Sequence, residues 1–193
     1  MLENKKILII ITGSVASYKA LYLIRLLRKK NCEVNCVMTA SAKQFITPLS
    51  VSSLTGNKVY DELFSLTDEI EMGHISLAKI HDAIVVAPAS ANFISKISNG
   101  LANDLASTMI LATNSPVFYF PAMNVNMWNN PIIQSNVKTI ENSGQFVISG
   151  EKGALACGDS GYGRLIEPEN IVDYLTEYFK SDAKIFKGTK ALV

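Results

Sequence analysis

The sequence has no apolar run long enough to cross a membrane and no surplus of charge of either sign. A membrane-spanning helix needs about 20 consecutive apolar residues, and no run approaches that length. The 18 basic and 17 acidic residues nearly cancel, and the basic residues form no cluster. This composition argues against nucleic acid or a membrane as the main partner.

Cysteine is scarce as well. Three cysteines are an odd number for a disulfide framework, and residues 1–6 lead into a strand pattern without a signal-peptide cleavage site. Both features favour a reduced, cytoplasmic setting. Cys32 and Cys36 flank or lie in a predicted strand and have no second pair of ligands, so we expect no metal site there.

Apolar runs of strand length alternate with helical patterns along most of the chain. The continuous run at 7–11 is typical of a strand that is covered on both faces. This rhythm predicts an α/β fold with a doubly wound, mostly parallel Rossmann-like sheet. Strands are predicted at 7–11, 34–38, 83–87, 117–120 and 145–148, and helices at 18–30, 48–55, 75–80, 90–98, 104–113, 131–142 and 168–178.

An unusual loop follows the fourth predicted strand. Between Pro121 and Trp128 lie an amide, Asn124, two methionines and the only tryptophan. Ligands bind at the carboxyl ends of strands in open α/β sheets, and this loop suits a planar ring and a small polar substrate. Methionine and tryptophan are also common core residues, so packing remains the alternative for this motif taken alone.

The loop after the first predicted strand is suited to a phosphate. Gly13 allows a tight turn, Ser14 and Ser17 offer hydroxyl groups, and the following helix presents unpaired N–H groups. A dinucleotide fingerprint needs three glycines, and the second strand ends at Thr39 without the acidic residue that holds an adenosine ribose. The loop therefore favours a mononucleotide over NAD, with a plain N-cap serine as the alternative.

Further polar side chains follow the later strands. Ser90 is a good N-cap, and Asn92 can hydrogen-bond a flavin or ribose edge. Ser107 and Thr108 lie near the start of the next predicted helix and can reach the same ligand. Helix capping explains Ser90 equally well, so each of these residues is weak evidence alone.

Two segments carry reactive side chains. His74 follows a glycine at the start of a predicted helix, and histidine suits proton transfer near neutral pH. His81 lacks further metal ligands and is interpreted as a surface or helix-end residue. Residues 156–164 are rich in glycine, which predicts a mobile flap with a reactive Cys157 and with Arg164 as an anion clamp. A solvated loop with an incidental cysteine is the alternative.

Together these segments resemble the flavin-dependent cysteine decarboxylases, and most closely the members that act on 4'-phosphopantothenoylcysteine in coenzyme A biosynthesis. The family's G-H-I motif matches 73–75, its P-x-M-N-x-x-M-W motif matches 121–128, and its A-C-G-D-x-G-x-G-R clamp matches 156–164. Residues 13–16 and 87–92 match its FMN-contacting loops, with Ser90 where threonine is common. The resemblance covers about residues 5–180.

The resemblance implies a flavoprotein-type fold and FMN-dependent formation of 4'-phosphopantetheine. In the family, FMN oxidises the cysteinyl thiol to a thioaldehyde, carbon dioxide leaves, and the reduced flavin then reduces the enethiol. His74 would act as base, Asn124 with Met123 would hold the carboxylate, and Cys157 would donate a proton. The implied FMN contacts are Gly13, Ser14, Val15, Ser17, Thr39, Ser90, Asn92, Ser107, Thr108 and Met123, and the further substrate contacts are Ala156, Gly158, Asp159 and Arg164.

The resemblance also implies a homotrimer, which can assemble further into a dodecamer, and a fused synthetase domain. Residues 1–180 would form the FMN-binding decarboxylase domain, and residues 181–193 the linker and the start of the synthetase domain, with a frayed tail as the alternative. One rival, a flavin prenyltransferase, lacks the second and third motifs. A non-catalytic FMN-binding regulatory paralogue or an FMN storage protein would not need His74, Asn124 and Cys157 together.

Overall fold

A parallel sheet forms the centre of the computed structural model, which describes residues 2–63, 79–150, 153–154 and 160–186. Within those residues the sheet has six strands in the order β3-β2-β1-β4-β5-β6. Every neighbouring pair is parallel. The strands are β1 (Lys6–Ile11), β2 (Glu33–Met38), β3 (Val59–Tyr60), β4 (Ala83–Ala89), β5 (Val117–Pro121) and β6 (Phe146–Val147).

Helices cover both faces of this sheet. In the described part of the chain they are α1 (Tyr18–Lys29), α2 (Pro48–Thr55), α3 (Ala91–Ser98), α4 (Leu105–Ala112), α5 (Val125–Asn129), α6 (Pro131–Asn142) and α7 (Pro168–Phe186). A small antiparallel hairpin joins β7 (Gly153–Ala154) to β8 (Ser160–Gly161). None of these described helices combines the length and the apolar character of a membrane span.

Strand β1 shows why the central strands are apolar at every position. Ile7, Ile9 and Ile11 pack in the core under α1, α2 and α7, whereas Leu8 and Ile10 pack in the core under α3, α4 and α6. Successive strand side chains point to opposite faces, and both faces are buried here. Each such side chain contributes about 1.5–3 kcal/mol through burial.

The predicted doubly wound parallel sheet is confirmed, and all five predicted strands are present. The sequence reading missed the two-residue strands β3, β7 and β8 and the five-residue helix α5. The predicted helix at 75–80 falls almost wholly outside the described residues. Residues 181–184, which the sequence predicts as part of a linker, lie in α7, since no glycine or proline stops the helix before Gly188. The division of the chain at residue 180 stays a prediction.

His81 was interpreted as a surface or helix-end residue, and the surface interpretation is wrong. His81 precedes β4 at the amino edge of the sheet and is only 3% exposed. Its Nε2 atom lies 3.0 Å from Nδ2 of Asn35, a buried residue of β2. Sequence spacing did not reveal this contact, because it joins two residues that lie 46 positions apart in the chain.

Candidate functional site

A cavity of about 240 Å³ opens where the strand order reverses, beyond the carboxyl ends of β1, β2 and β4. In an open α/β sheet the connections that leave the two strands at this point run to opposite faces of the sheet, and a crevice for a ligand lies between them. Four of the predicted cofactor contacts line it together: Gly13, Thr39, Ser90 and Asn92. The sequence reading therefore located the crevice.

Hydroxyl groups fix the two loops that form this crevice. Thr12 Oγ1 donates to the Pro88 carbonyl oxygen at 2.7 Å and accepts from the Ser90 amide at 2.9 Å, which ties β1 to β4. The buried Ser17 hydroxyl donates to the Ser14 carbonyl oxygen at 2.6 Å. Ser14 Oγ accepts from the Ala16 amide at 3.2 Å. Ser14 and Ser17 thus shape their own loop, and their direct contact with a cofactor stays a prediction.

Ser41 is a lining residue that the sequence reading missed. It follows β2 and meets the β1 loop so closely that a Cβ atom on Gly13 would lie 2.5 Å from the Ser41 Cβ atom. Real Cβ atoms do not approach this closely, so the two loops can meet only because residue 13 is glycine. The one sequence signal for Ser41 was its position three residues after the end of a strand.

The start of α4 forms another wall of the cavity. Asp104 Oδ1 accepts from the Ser107 amide at 2.8 Å, and Lys96 Nζ lies 2.7 Å from Asp104 Oδ2. Ser107 is fully buried in this capping box, so its hydroxyl serves the helix start. Thr108 Oγ1 is buried and has no hydrogen-bond partner among the described residues.

Acid should destabilise the fold at the start of α4 because Asp104 becomes protonated. Burial alone would raise its pKa, but hydrogen bonds from Lys96 and Ser107 outweigh burial and hold the pKa below its ordinary value of 3.8. The folded pKa lies below the unfolded one, so the ionised group stabilises the fold above about pH 3.8, and this is lost as the pH falls through the folded pKa.

We therefore expect Asp104→Asn, which keeps an N-cap residue, to flatten the acid dependence of stability. Thermal unfolding between about pH 5 and pH 3 measures this dependence. Asp173→Asn, on an exposed position of α7, is the control and should leave the wild-type slope. An equal acid slope in the Asp104 variant and the wild type would contradict the assignment.

Asn124 begins helix α5 and leaves one of its polar groups available. Its Oδ1 atom accepts from the Met127 amide at 2.8 Å, and its carbonyl oxygen accepts from the Trp128 amide at 3.0 Å. The Nδ2 group has no partner among the described residues, and the side chain is exposed. It can therefore donate to a carboxylate. Met123 and Trp128 are partly buried and pack against the core. Core packing, the alternative that the sequence left open for these residues, therefore explains part of their role.

The described end of the clamp motif contacts the loop at 121–128. The Met123 amide donates to the Gly163 carbonyl oxygen at 2.8 Å. A Cβ atom on Gly163 would lie 2.6 Å from the Met123 carbonyl oxygen, and its φ of +109° favours glycine. A Cβ atom on Gly161 would lie 2.7 Å from a Val125 methyl group. The structure thus brings the described end of the clamp motif, residues 160–164, against the motif at 121–128.

Several predicted residues lie outside the described ranges: His74, Ala156, Cys157, Gly158 and Asp159. The other two cysteines are described and are buried free thiols. Burial raises the pKa of Cys32 to about 11 and raises that of Cys36 further. Neither thiol is suited to act as a nucleophile or proton donor near neutral pH.

Comparison with known proteins identifies the family. A family profile described as Flavoprotein matches residues 1–180. The chain belongs to the flavoprotein family. The coenzyme A biosynthesis bifunctional protein CoaBC of Haemophilus influenzae is 48% identical to this flavoprotein over 178 residues, which are 92% of this chain and 44% of that protein. The flavoprotein spans about half the length of the curated relatives it matches.

Solved structures resemble the flavoprotein along most of its length. A cysteine-to-serine mutant of PPC decarboxylase, complexed with pantothenoylaminoethenethiol, superposes with a TM-score of 0.80 at 31% identity. The match covers 92% of the flavoprotein and 100% of that chain. The FMN binding protein AtHal3 superposes with a TM-score of 0.78 at 32% identity, over 93% of the flavoprotein and 98% of that chain.

Proposed function

We propose that this flavoprotein is an FMN-dependent carbon–carbon lyase that converts 4'-phosphopantothenoylcysteine to 4'-phosphopantetheine in coenzyme A biosynthesis. The observation that carries the proposal is the contact between the Asn124 loop and the end of the clamp motif, in a chain that superposes on the whole of a PPC decarboxylase chain. The first motif supplies an amide group that donates a hydrogen bond to the substrate carboxylate, and the second supplies a cysteine for the same reaction.

The crevice fits one end of FMN. Thr39, Ser41, Ser90 and Asn92 offer hydroxyl and amide groups there, and the start of α3 adds backbone N–H groups. Its two carboxylates are each paired with a lysine, Asp61 with Lys43 at 2.8 Å and Asp104 with Lys96 at 2.7 Å, so they do not repel a phosphate strongly. The cavity of about 240 Å³ is smaller than the roughly 300–1,000 Å³ of sites that enclose a drug-sized ligand. A cavity of this size would hold the phosphate end of FMN and leave the flavin ring outside.

When bound, FMN supplies the two-electron oxidation of the substrate thiol and its later reversal, which no side chain can supply. The residues of the chain bind and move protons. Asn124 Nδ2 donates to the substrate carboxylate, and Arg164 binds an anionic group of the substrate. His74 accepts a proton during the oxidation, and Cys157 returns one during the reduction.

We propose a homotrimer, in which the flavin ring lies between subunits, and its further assembly into a dodecamer. Large apolar side chains are exposed on the segments that follow the carboxyl ends of β1 and β2, beside the crevice: Val15 (58%), Tyr18 (61%), Phe45 (52%) and Leu49 (74%). Contiguous apolar patches are typical of interaction sites, and we propose that these side chains form one. Native mass spectrometry should give masses that are multiples of three chains, and a monomer with bound FMN would contradict this part of the proposal.

The matched relatives are bifunctional proteins, and we propose that this chain corresponds to their decarboxylase part, with a phosphopantothenoylcysteine synthetase as its covalent partner. A cytoplasmic setting suits the free thiols of Cys32 and Cys36. We propose no nucleic acid or membrane partner. No ligase activity is proposed for residues 1–193.

Gly13→Ala should weaken FMN binding by at least about tenfold, because a methyl group would force the β1 and β2 loops apart, as overpacking does elsewhere. Quenching of flavin fluorescence during titration measures the affinity.

The control is Gly144→Ala, since Gly144 has a φ of +84° and lies before β6, away from the crevice. It should lower the melting temperature but not the FMN affinity. Equal FMN affinity in the Gly13 variant and the wild type would contradict the role of this loop.

Turnover tests the function directly. The purified protein, loaded with FMN, should convert 4'-phosphopantothenoylcysteine to a product that has lost carbon dioxide, as followed by mass spectrometry. A protein that carries FMN but does not release carbon dioxide would favour the regulatory paralogue instead.

A further inference from the structure

The side chain of Lys19 is buried beside the end of the clamp motif. Lys19 lies in the first turn of α1, directly after the loop of Gly13, and its side chain is only 9% exposed. A buried ammonium is costly unless it is paired. Its Nζ atom lies 2.9 Å from Glu167 Oε1 and 3.3 Å from the Leu165 carbonyl oxygen. The Leu165 carbonyl oxygen and the Glu167 carboxylate, which follow the clamp motif, therefore accept hydrogen bonds from the buried Lys19 ammonium group.

Glu167 connects Lys19 to Arg164. The same Oε1 atom accepts a hydrogen bond from the Arg164 guanidinium. The hydrogen bond from Lys19 is the main cause that lowers the pKa of Glu167, and Arg164 lowers it further, so the carboxylate is ionised near neutral pH. A single carboxylate oxygen thus joins a buried cation to the half-exposed cation of the clamp.

Arg164 lies across the base of the β7–β8 hairpin. A Cβ atom on Gly153 would lie 3.6 Å from one of its terminal nitrogens, and a Cβ atom on Gly150 would lie 2.8 Å from its carbonyl oxygen. Arg164, which follows β8, therefore lies close to β7 and to the chain just before it. Glu167 takes one NH₂ group, and a guanidinium has further donors for an anion.

We propose that Lys19 is a positioning residue for the substrate clamp. Through Glu167 it fixes the direction of the Arg164 guanidinium, and through Leu165 it fixes the chain that follows. The inference rests on the proposed function, in which Arg164 binds an anionic group of the substrate. Because Lys19 touches neither substrate nor cofactor in this arrangement, its loss affects substrate affinity more than the chemical step.

The test is Lys19→Met in the FMN-loaded protein, since methionine preserves much of the apolar stem. The KM for 4'-phosphopantothenoylcysteine should rise about tenfold, while kcat falls less than about threefold and flavin content stays unchanged. The control is Lys5→Met, which removes a lysine that lies 2.8 Å from Asp82 at the opposite edge of the sheet. It should leave KM unchanged.

A second variant separates positioning from general damage. In an Arg164→Met background, Lys19→Met should raise KM no further, because residues that act through one contact are not additive. An equal rise in both backgrounds, a loss of flavin, or a fall in kcat alone would overturn the proposal.

Binding can be measured without turnover. Trp128 is the only tryptophan, and its Cβ atom lies 3.3 Å from the position of a Cβ on Gly163. Its fluorescence during titration with 4'-phosphopantetheine should show the same weakening, about tenfold, in Lys19→Met. A wild type that binds but does not turn over would contradict the proposed function, while the affinity ratio would still decide the role of Lys19.

Discussion

Replacing Asn124 by aspartate should lower kcat/KM for 4'-phosphopantothenoylcysteine by about two to three orders of magnitude while the fold remains intact. Aspartate keeps the oxygen that accepts from the Met127 amide, so helix α5 still begins at residue 124. The substitution removes the Nδ2 donor and places a carboxylate opposite the substrate carboxylate. Removal of one donor to a reacting anion commonly costs this much, and like charges add to the loss.

Asn130→Asp is the matched control for this variant. Asn130 is also exposed, and its Oδ1 atom accepts from the Ile132 amide at 2.9 Å at the start of α6. The same change in a second asparagine N-cap should leave kcat/KM within about twofold of the wild type. Steady-state kinetics and circular dichroism measure both variants. Full activity in Asn124→Asp, or an equal loss in both variants, would remove Asn124 from the site.

Cys157→Ser should stop the reaction before its last step. A serine hydroxyl is a much weaker acid than a thiol, and general acids contribute about 10²–10⁴ to rates. We expect the purified variant to be yellow because it still binds FMN, and to release carbon dioxide, but to give a product that lacks one pair of hydrogens relative to 4'-phosphopantetheine. The electron pair would then stay on the flavin until dissolved oxygen removes it. Mass spectrometry of the released product distinguishes the two.

Cys32→Ala is the control for the loss of a thiol. Cys32 is buried, and its Sγ atom donates to the Leu2 carbonyl oxygen at the amino edge of the sheet. This variant should lose some stability, as buried substitutions do, but should form the ordinary product. An ordinary product from Cys157→Ser would show that another group supplies the proton.

The sequence predicts the sheet well because its signals are local. The continuous apolar run at 7–11 and the proline that ends β5 belong to single segments of chain. The family motifs are local too, so the loops of Gly13 and Ser90, which line the crevice, could be predicted from single segments. The role of the Asn124 loop stays a prediction. The short elements β3 and α5 give too few residues for a periodic pattern.

The rest depends on contacts between distant segments. Glu167 lies 148 residues from Lys19, and helical spacing gave Lys19 no special role. Ser41 lies at the crevice only because the loops after β1 and β2 meet there. His81 is buried beside the amide of Asn35, which lies 46 residues away in the chain. Such contacts are set by the fold as a whole.

The central claim is that bound flavin would take one pair of electrons from the substrate and return it to the product within each turnover. The most direct measurement is the stoichiometry of an anaerobic reaction with the FMN-loaded protein and excess 4'-phosphopantothenoylcysteine, without NADPH or any other reductant. We predict many turnovers per flavin, with one carbon dioxide released for each 4'-phosphopantetheine formed and with the flavin oxidised at the end. A reaction that stops after one turnover per flavin, or that needs an added electron donor or acceptor, would contradict the claim.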